Sequence, residues 1–220
     1  MTLLEPDVAL TDFVLAIECV WFAVWLYRRS PMGRTSSRWF VLFFAALSVS
    51  ALLGGISHGF FSDTQSTIYR TVWAATLISI GVAAFSSWAA GARVLFSHDF
   101  ARRFEVFAGL LLCAYVAAVL FFSQSFALAV VHYLPAAAFL LASLLVAYGR
   151  RREPHLLPGI AGLLLSFMAA AIQQTEARIP SLQLSHNALY HLVQAVALLM
   201  IFFTARGLTM EALCERDANS

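Results

Sequence analysis

Apolar residues run along this chain in seven long stretches, at roughly 8–27, 39–61, 69–92, 104–122, 125–148, 156–175 and 185–205. Each is close to the ~20 helical residues needed to cross a hydrocarbon core. The polar connections between them are too short to hold a folded domain, and no repeat of 20 to 50 residues runs through the chain. The pattern predicts an all-α, polytopic membrane protein of seven transmembrane helices. The membrane domain is expected over 1–207, with a short tail over 208–220. The first stretch does not read as a cleavable signal, because acidic Glu5, Asp7 and Asp12 precede or enter it and its positive charges follow it.

Composition agrees with this reading: 61% of the 220 residues are hydrophobic and 12% charged. All 14 basic residues are arginine, and 12 of the 14 fall in alternate connections or the tail; the exceptions are Arg70 and Arg178. The positive-inside rule makes the arginine side cytoplasmic, with the N-terminus outside and the C-terminus inside. Charge sorted by membrane side gives no reason to expect nucleic acid as a partner, and with no soluble domain the expected partner is a membrane lipid substrate or ligand. The absence of lysine and the abundance of alanine point to a GC-rich bacterial genome, hence to the inner (plasma) membrane. Cys19, Cys113 and Cys214 are widely spaced and form no disulfide framework.

Within this topology the unusual polar residues gather at one depth. His58, His132, His186 and His191 all fall in the outer half of their stretches, as do Asp12, Glu18, Gln173, Gln174 and Glu176, with Asp63 in the loop after His58. On a 3.6-residue period Asn187, His191 and Gln194 form one stripe. Polar side chains are costly against lipid, so their clustering predicts a shared cavity in the outer leaflet. Gly54, Gly55 and Gly59 would let a neighbouring helix approach near His58, and Pro135 should kink the fifth helix. Trp25, Trp39 and Trp88 read as interface anchors, and Trp73 as an anchor or a cavity wall. His98 and His155 lie in arginine-bearing loops and read as solvated residues.

Three imidazoles suit a zinc ion that keeps its fourth position for water. His58, His186 and His191 are the expected ligands, with His132 the substitute third. Zinc would turn its water into a nucleophile, and a nearby carboxylate, from Asp63, Glu18, Asp12 or Glu176, would move the proton. Asn187, Gln194, Gln174 and His132 are expected to support the site.

Seven helices, a histidine late in the second and a histidine pair opening the seventh resemble the superfamily of alkaline ceramidases and progestin/adipoQ receptors. The resemblance implies a membrane zinc protein, and in the ceramidase branch, which shares the outside N-terminus, hydrolysis of a lipid amide. His58 matches the helix-two ligand and His191 the second histidine of the pair. Asn187 stands where the pair's first histidine would be, with His186 displaced by one. Gly54 stands at the position of the family's serine, with Ser57 the adjacent hydroxyl. Tyr69 and Arg70 occupy the region of its aspartate. The expected activity is a zinc-dependent hydrolase acting on a lipid amide or ester. The missing serine and aspartate favour the alternative, a non-catalytic receptor, transporter or assembly protein with a ligand cavity. A third reading, a haem-binding electron carrier, would use two of the histidines as axial ligands.

Overall fold

The seven apolar stretches are seven helices in a computed structural model of the chain, which describes residues 3–29, 35–176 and 184–217. They are α1 (Pro6–Arg29), α2 (Thr35–Phe60), α3 (Thr67–Leu95), α4 (His98–Phe121), α5 (Phe126–Arg151), α6 (Leu157–Gln174) and α7 (His186–Asp217), with a 3₁₀ turn at Pro154–Leu156 before α6. No strand occurs among the described residues. All seven helices are long and apolar enough to cross a membrane, so the protein is an integral, multi-pass membrane protein. Several helices, α2, α3 and α4 among them, extend a few residues beyond the expected stretches at their polar ends. Ser66 caps α3 by accepting from the Tyr69 N–H, and Ser185 caps α7 by accepting from the Ala188 N–H. α7 also continues unbroken past residue 207, with Leu208, Thr209 and Ala212 buried. The segment expected as a tail is therefore part of the bundle as far as its described residues go.

α1, α2, α3, α5, α6 and α7 pack in a ring, each against the next, and α7 closes on α1; α4 stands outside, packed on α3. α3 can take this central place because it is built of small residues. Ala74, Gly81, Ala83, Ala84, Ala89, Ala90, Gly91 and Ala92 are all buried, and small side chains bring backbones close enough for dispersion to hold helices together without help from water. Its buried hydroxyls, Thr76, Ser86 and Ser87, return their protons to carbonyls four residues earlier, so none is left unpaired in the apolar interior. The Tyr115 ring of α4 lies over Gly81, where a Cβ would come within 2.5 Å of it, and its hydroxyl donates to the Leu77 carbonyl at 3.0 Å.

Two ends of the ring differ in character. At the arginine-bearing end, Glu105 accepts from Arg93 and from the Trp39 indole, while Arg29 and Arg206 both stack over Trp25. Below them, Phe22, Phe44 and Phe202 form an aromatic plug, with Phe22 and Phe202 stacked at 4.4 Å. At the other end the ring holds a cavity. Pro135 lies within α5 and the helix continues through it.

Candidate functional site

The cavity has a volume of about 320 Å³ and is lined by all six ring helices and by no residue of α4. That volume lies within the roughly 300–1,000 Å³ of small-molecule sites. Its walls are mostly apolar: Leu15, Leu47, Ile80, Phe126, Tyr133 and Phe167 contribute. Trp73 is part of the wall, anchored by its indole N–H on the Gln124 carbonyl at 2.8 Å.

Into this apolar space α1 and α7 bring a cluster of polar side chains. Asp12 comes from the second turn of α1 and is 4% exposed. Its Oδ1 is 3.2 Å from His191 Nε2, and on the other side of the imidazole Nδ1 is 3.2 Å from Thr11 Oγ1. The Thr11 hydroxyl also lies 2.9 Å from the Asp7 and Val8 carbonyls. With one proton, it either donates to His191 or donates to the helix and accepts from it. Nε2 and Oδ1 stand in close polar contact, and the ring is held by hydrogen bonding at Nδ1. Asp7 holds the helices in register by accepting from the Ser185 N–H, the cap of α7, at 2.9 Å.

The second carboxylate oxygen, Asp12 Oδ2, is buried and has no hydrogen-bond partner among the described residues. It lies over Gly54, where a Cβ would approach it to 3.3 Å. The absence of a side chain at Gly54 therefore leaves room for the carboxylate, and beside it for another group. An unpaired buried oxygen costs about 1–3 kcal/mol, more when charged. It is the strongest polar feature of the cavity.

The other expected residues divide into those at the cavity and those elsewhere. His58, Asn187 and Gln194 line it with His191. His58 Nδ1 is 2.8 Å from Glu5 Oε2, and Gln194 donates to Ser166 of α6 at 3.2 Å. His186 opens α7 outside the cavity wall, and its Nδ1 has no hydrogen-bond partner among the described residues. His132 faces away from the cavity and stacks on Tyr115 at 4.2 Å. Gln174 pairs with Gln173, and of the two Gln173 lines the cavity. Ser57 is buried and Glu18 half-buried, both outside the wall. Asp63 is exposed and accepts from the Gln65 N–H, a loop contact. The carboxylate that reaches the cavity is Asp12. Thr11 and Glu5, which orient the two histidines, carry no motif in the sequence; only the topology brings them to residues some 180 and 53 positions away.

A zinc site at this end would need three ligand atoms around one point. His58, His186 and His191 do not form such a group; among the described residues the group that does is Glu153, His155 and Glu211, at the opposite end. The cavity residues therefore do not fit the expected zinc ion as arranged. What they supply is a fixed imidazole, a free carboxylate oxygen and an apolar wall.

Residues 8–210 match a family described as a family of unknown function, DUF6962. No curated protein and no solved structure matches the chain. The match takes in most of every helix and well over half of the chain, and the protein belongs to the DUF6962 family.

Proposed function

We propose that this protein binds an amphiphilic molecule of the membrane in the ring cavity, seating a hydrogen-bond-donating head group (a hydroxyl, amide or amine) on Asp12. The apolar body of the ligand lies against Leu47, Ile80, Phe126 and Phe167. The observation that carries this reading is Asp12 Oδ2, a buried acceptor without a hydrogen-bond partner among the described residues, beside Gly54 in a mostly apolar cavity. A ligand that donates to it removes an energetic penalty the fold otherwise bears, which gives the site selectivity for donors over purely apolar molecules. The cavity lies at the end with few arginines, and the positive-inside rule assigns that end to the outer leaflet.

The test is retention from a total membrane lipid extract. Wild-type protein in detergent should enrich a discrete class of molecules bearing a donor head group, and Leu47→Trp, which fills the cavity, should lose them. Equal retention by both proteins would contradict the reading.

One observation favours a second reading, hydrolysis of a lipid amide or ester. Asp12 Oδ2, without a hydrogen-bond partner among the described residues, is free to take a proton from an attacking water as a general base does, and His191 lies 3.2 Å from the other oxygen of that carboxylate. On this reading His191→Ala lowers release of fatty acid from the retained lipid while leaving retention itself measurable. Absence of any product with wild type leaves the binding function alone.

A further inference from the structure

A histidine in an arginine-bearing loop is expected to be solvated, but the His155 side chain is only 26% exposed, and the chain around it is shaped to hold it there. α5 ends at Arg151, and Arg152 turns the chain in the left-handed region, with φ 56° and its N–H on the Tyr148 carbonyl. Glu153 follows, and Pro154 starts the 3₁₀ turn that carries His155. Thr204 of α7 clasps this turn from below, donating to the His155 carbonyl at 2.6 Å and accepting from the Gly159 N–H at 2.7 Å. The imidazole then lies flat on α7 at Gly207, where a Cβ would come within 2.6 Å of the ring. One turn on, Glu211 projects from the same face of α7.

The result is a convergence of three metal-ligating atoms from two segments. His155 Nε2 is 3.5 Å from Glu153 Oε2 and 3.8 Å from Glu211 Oε2, and all three atoms lie within 4.8 Å of one another. His155 Nε2 and Glu153 Oε2 are buried and make no hydrogen bond to the described residues. Two ligand atoms each about 2.1 Å from a tetrahedral ion stand about 3.4 Å apart, close to both separations. We propose that Glu153, His155 and Glu211 form a binding site for a divalent transition-metal ion of the zinc class at the arginine-bearing end of the bundle. One imidazole and two carboxylates suit zinc, whereas magnesium and calcium favour oxygen alone. The ion ties the α5–α6 connection to the last turns of α7. The site is independent of the ligand cavity, which lies at the other end.

The test is calorimetric titration of ZnCl2 into the full chain, purified in detergent, stripped with a chelator and desalted. Wild type is expected to take up one equivalent through these residues. Glu211→Gln and His155→Ala should each weaken that binding by about 100-fold or more, the upper end of what loss of a merely supporting residue costs. The double variant His58→Ala/His191→Ala should bind as wild type does. Glu211→Gln is nearly isosteric and keeps the measurement decisive if His155→Ala does not fold. No zinc uptake by wild type would overturn the proposal, as would uptake lost in the cavity double variant but kept in Glu211→Gln.

Discussion

Asp12 and Thr11 are neighbours in sequence and reach the same imidazole from opposite nitrogens. That is possible because the two residues point about 100° apart on α1 and His191 lies between them. A short polar side chain on either side then sets the ring's orientation. Gly54 completes the arrangement by having no side chain. Gly54→Ala separates binding from stability: its Cβ would press on Asp12 Oδ2 at 3.3 Å and occupy the space beside it. Alanine is otherwise the better helix residue by about 0.5–1 kcal/mol. The variant should therefore melt at or slightly above the wild-type temperature while retaining much less of the ligand class wild type enriches. A fall in melting temperature together with unchanged retention would contradict the placement of the free oxygen. His191, His58 and Asp12 are legible as site residues in the sequence because each is a polar group in an apolar run. Which carboxylate meets which histidine is not legible, since it depends on helix rotation and on packing partners far apart in sequence. The same limit explains His155: a histidine beside three arginines reads as solvated until Gly207 and Thr204 are seen beneath it.

At the scale of elements, glycines and one buried ion pair set how the helices approach. Gly162 of α6 lies so close to α7 that a Cβ would come within 2.6 Å of the Ala197 carbonyl oxygen, a backbone atom that cannot turn aside. Gly162→Ala should cost about 1–3 kcal/mol, as overpacking does, and lower the thermal midpoint. Gly149→Ala, with nothing within 4 Å, should be neutral or slightly stabilising. Glu105 joins α4 to its neighbours: it accepts from Arg93 at 2.6 and 2.8 Å and from Trp39 at 2.8 Å. The Arg93 side chain is 6% exposed, so Glu105→Ala leaves a buried cation uncompensated, at a cost of about 3–5 kcal/mol. Arg38, 56% exposed and 3.9 Å from the same carboxylate, should cost no more than about 1 kcal/mol when replaced by alanine. Chemical or thermal unfolding of the purified variants checks both values. The seven helices are legible from hydropathy alone. The exclusion of α4 from the ring is not, because α4 is as apolar as the others and only the small residues of α3 and the Tyr115–Gly81 contact assign its place.

For the whole molecule, the two ends carry different chemistry: most of the arginines and the Glu153–His155–Glu211 group at one, the cavity at the other. The positive-inside rule predicts that the bundle sits with the cavity facing outward. In a background with Cys113 and Cys214 changed to serine, Asp63→Cys should react with a membrane-impermeant maleimide in intact cells. The native Cys214, which is exposed, should react only after permeabilisation. The opposite pattern would invert the topology and place the cavity in the inner leaflet. The central claim, that Asp12 seats the head group of a membrane amphiphile, is tested most directly by native mass spectrometry of detergent-purified wild type beside Asp12→Asn. The amide retains an oxygen toward His191 but turns the free acceptor beside Gly54 into a donor. Wild type should carry a bound molecule with a hydroxyl, amide or amine head group, at near one per chain, and Asp12→Asn should have lost it. The same bound species in both proteins, or none in wild type, would contradict the account.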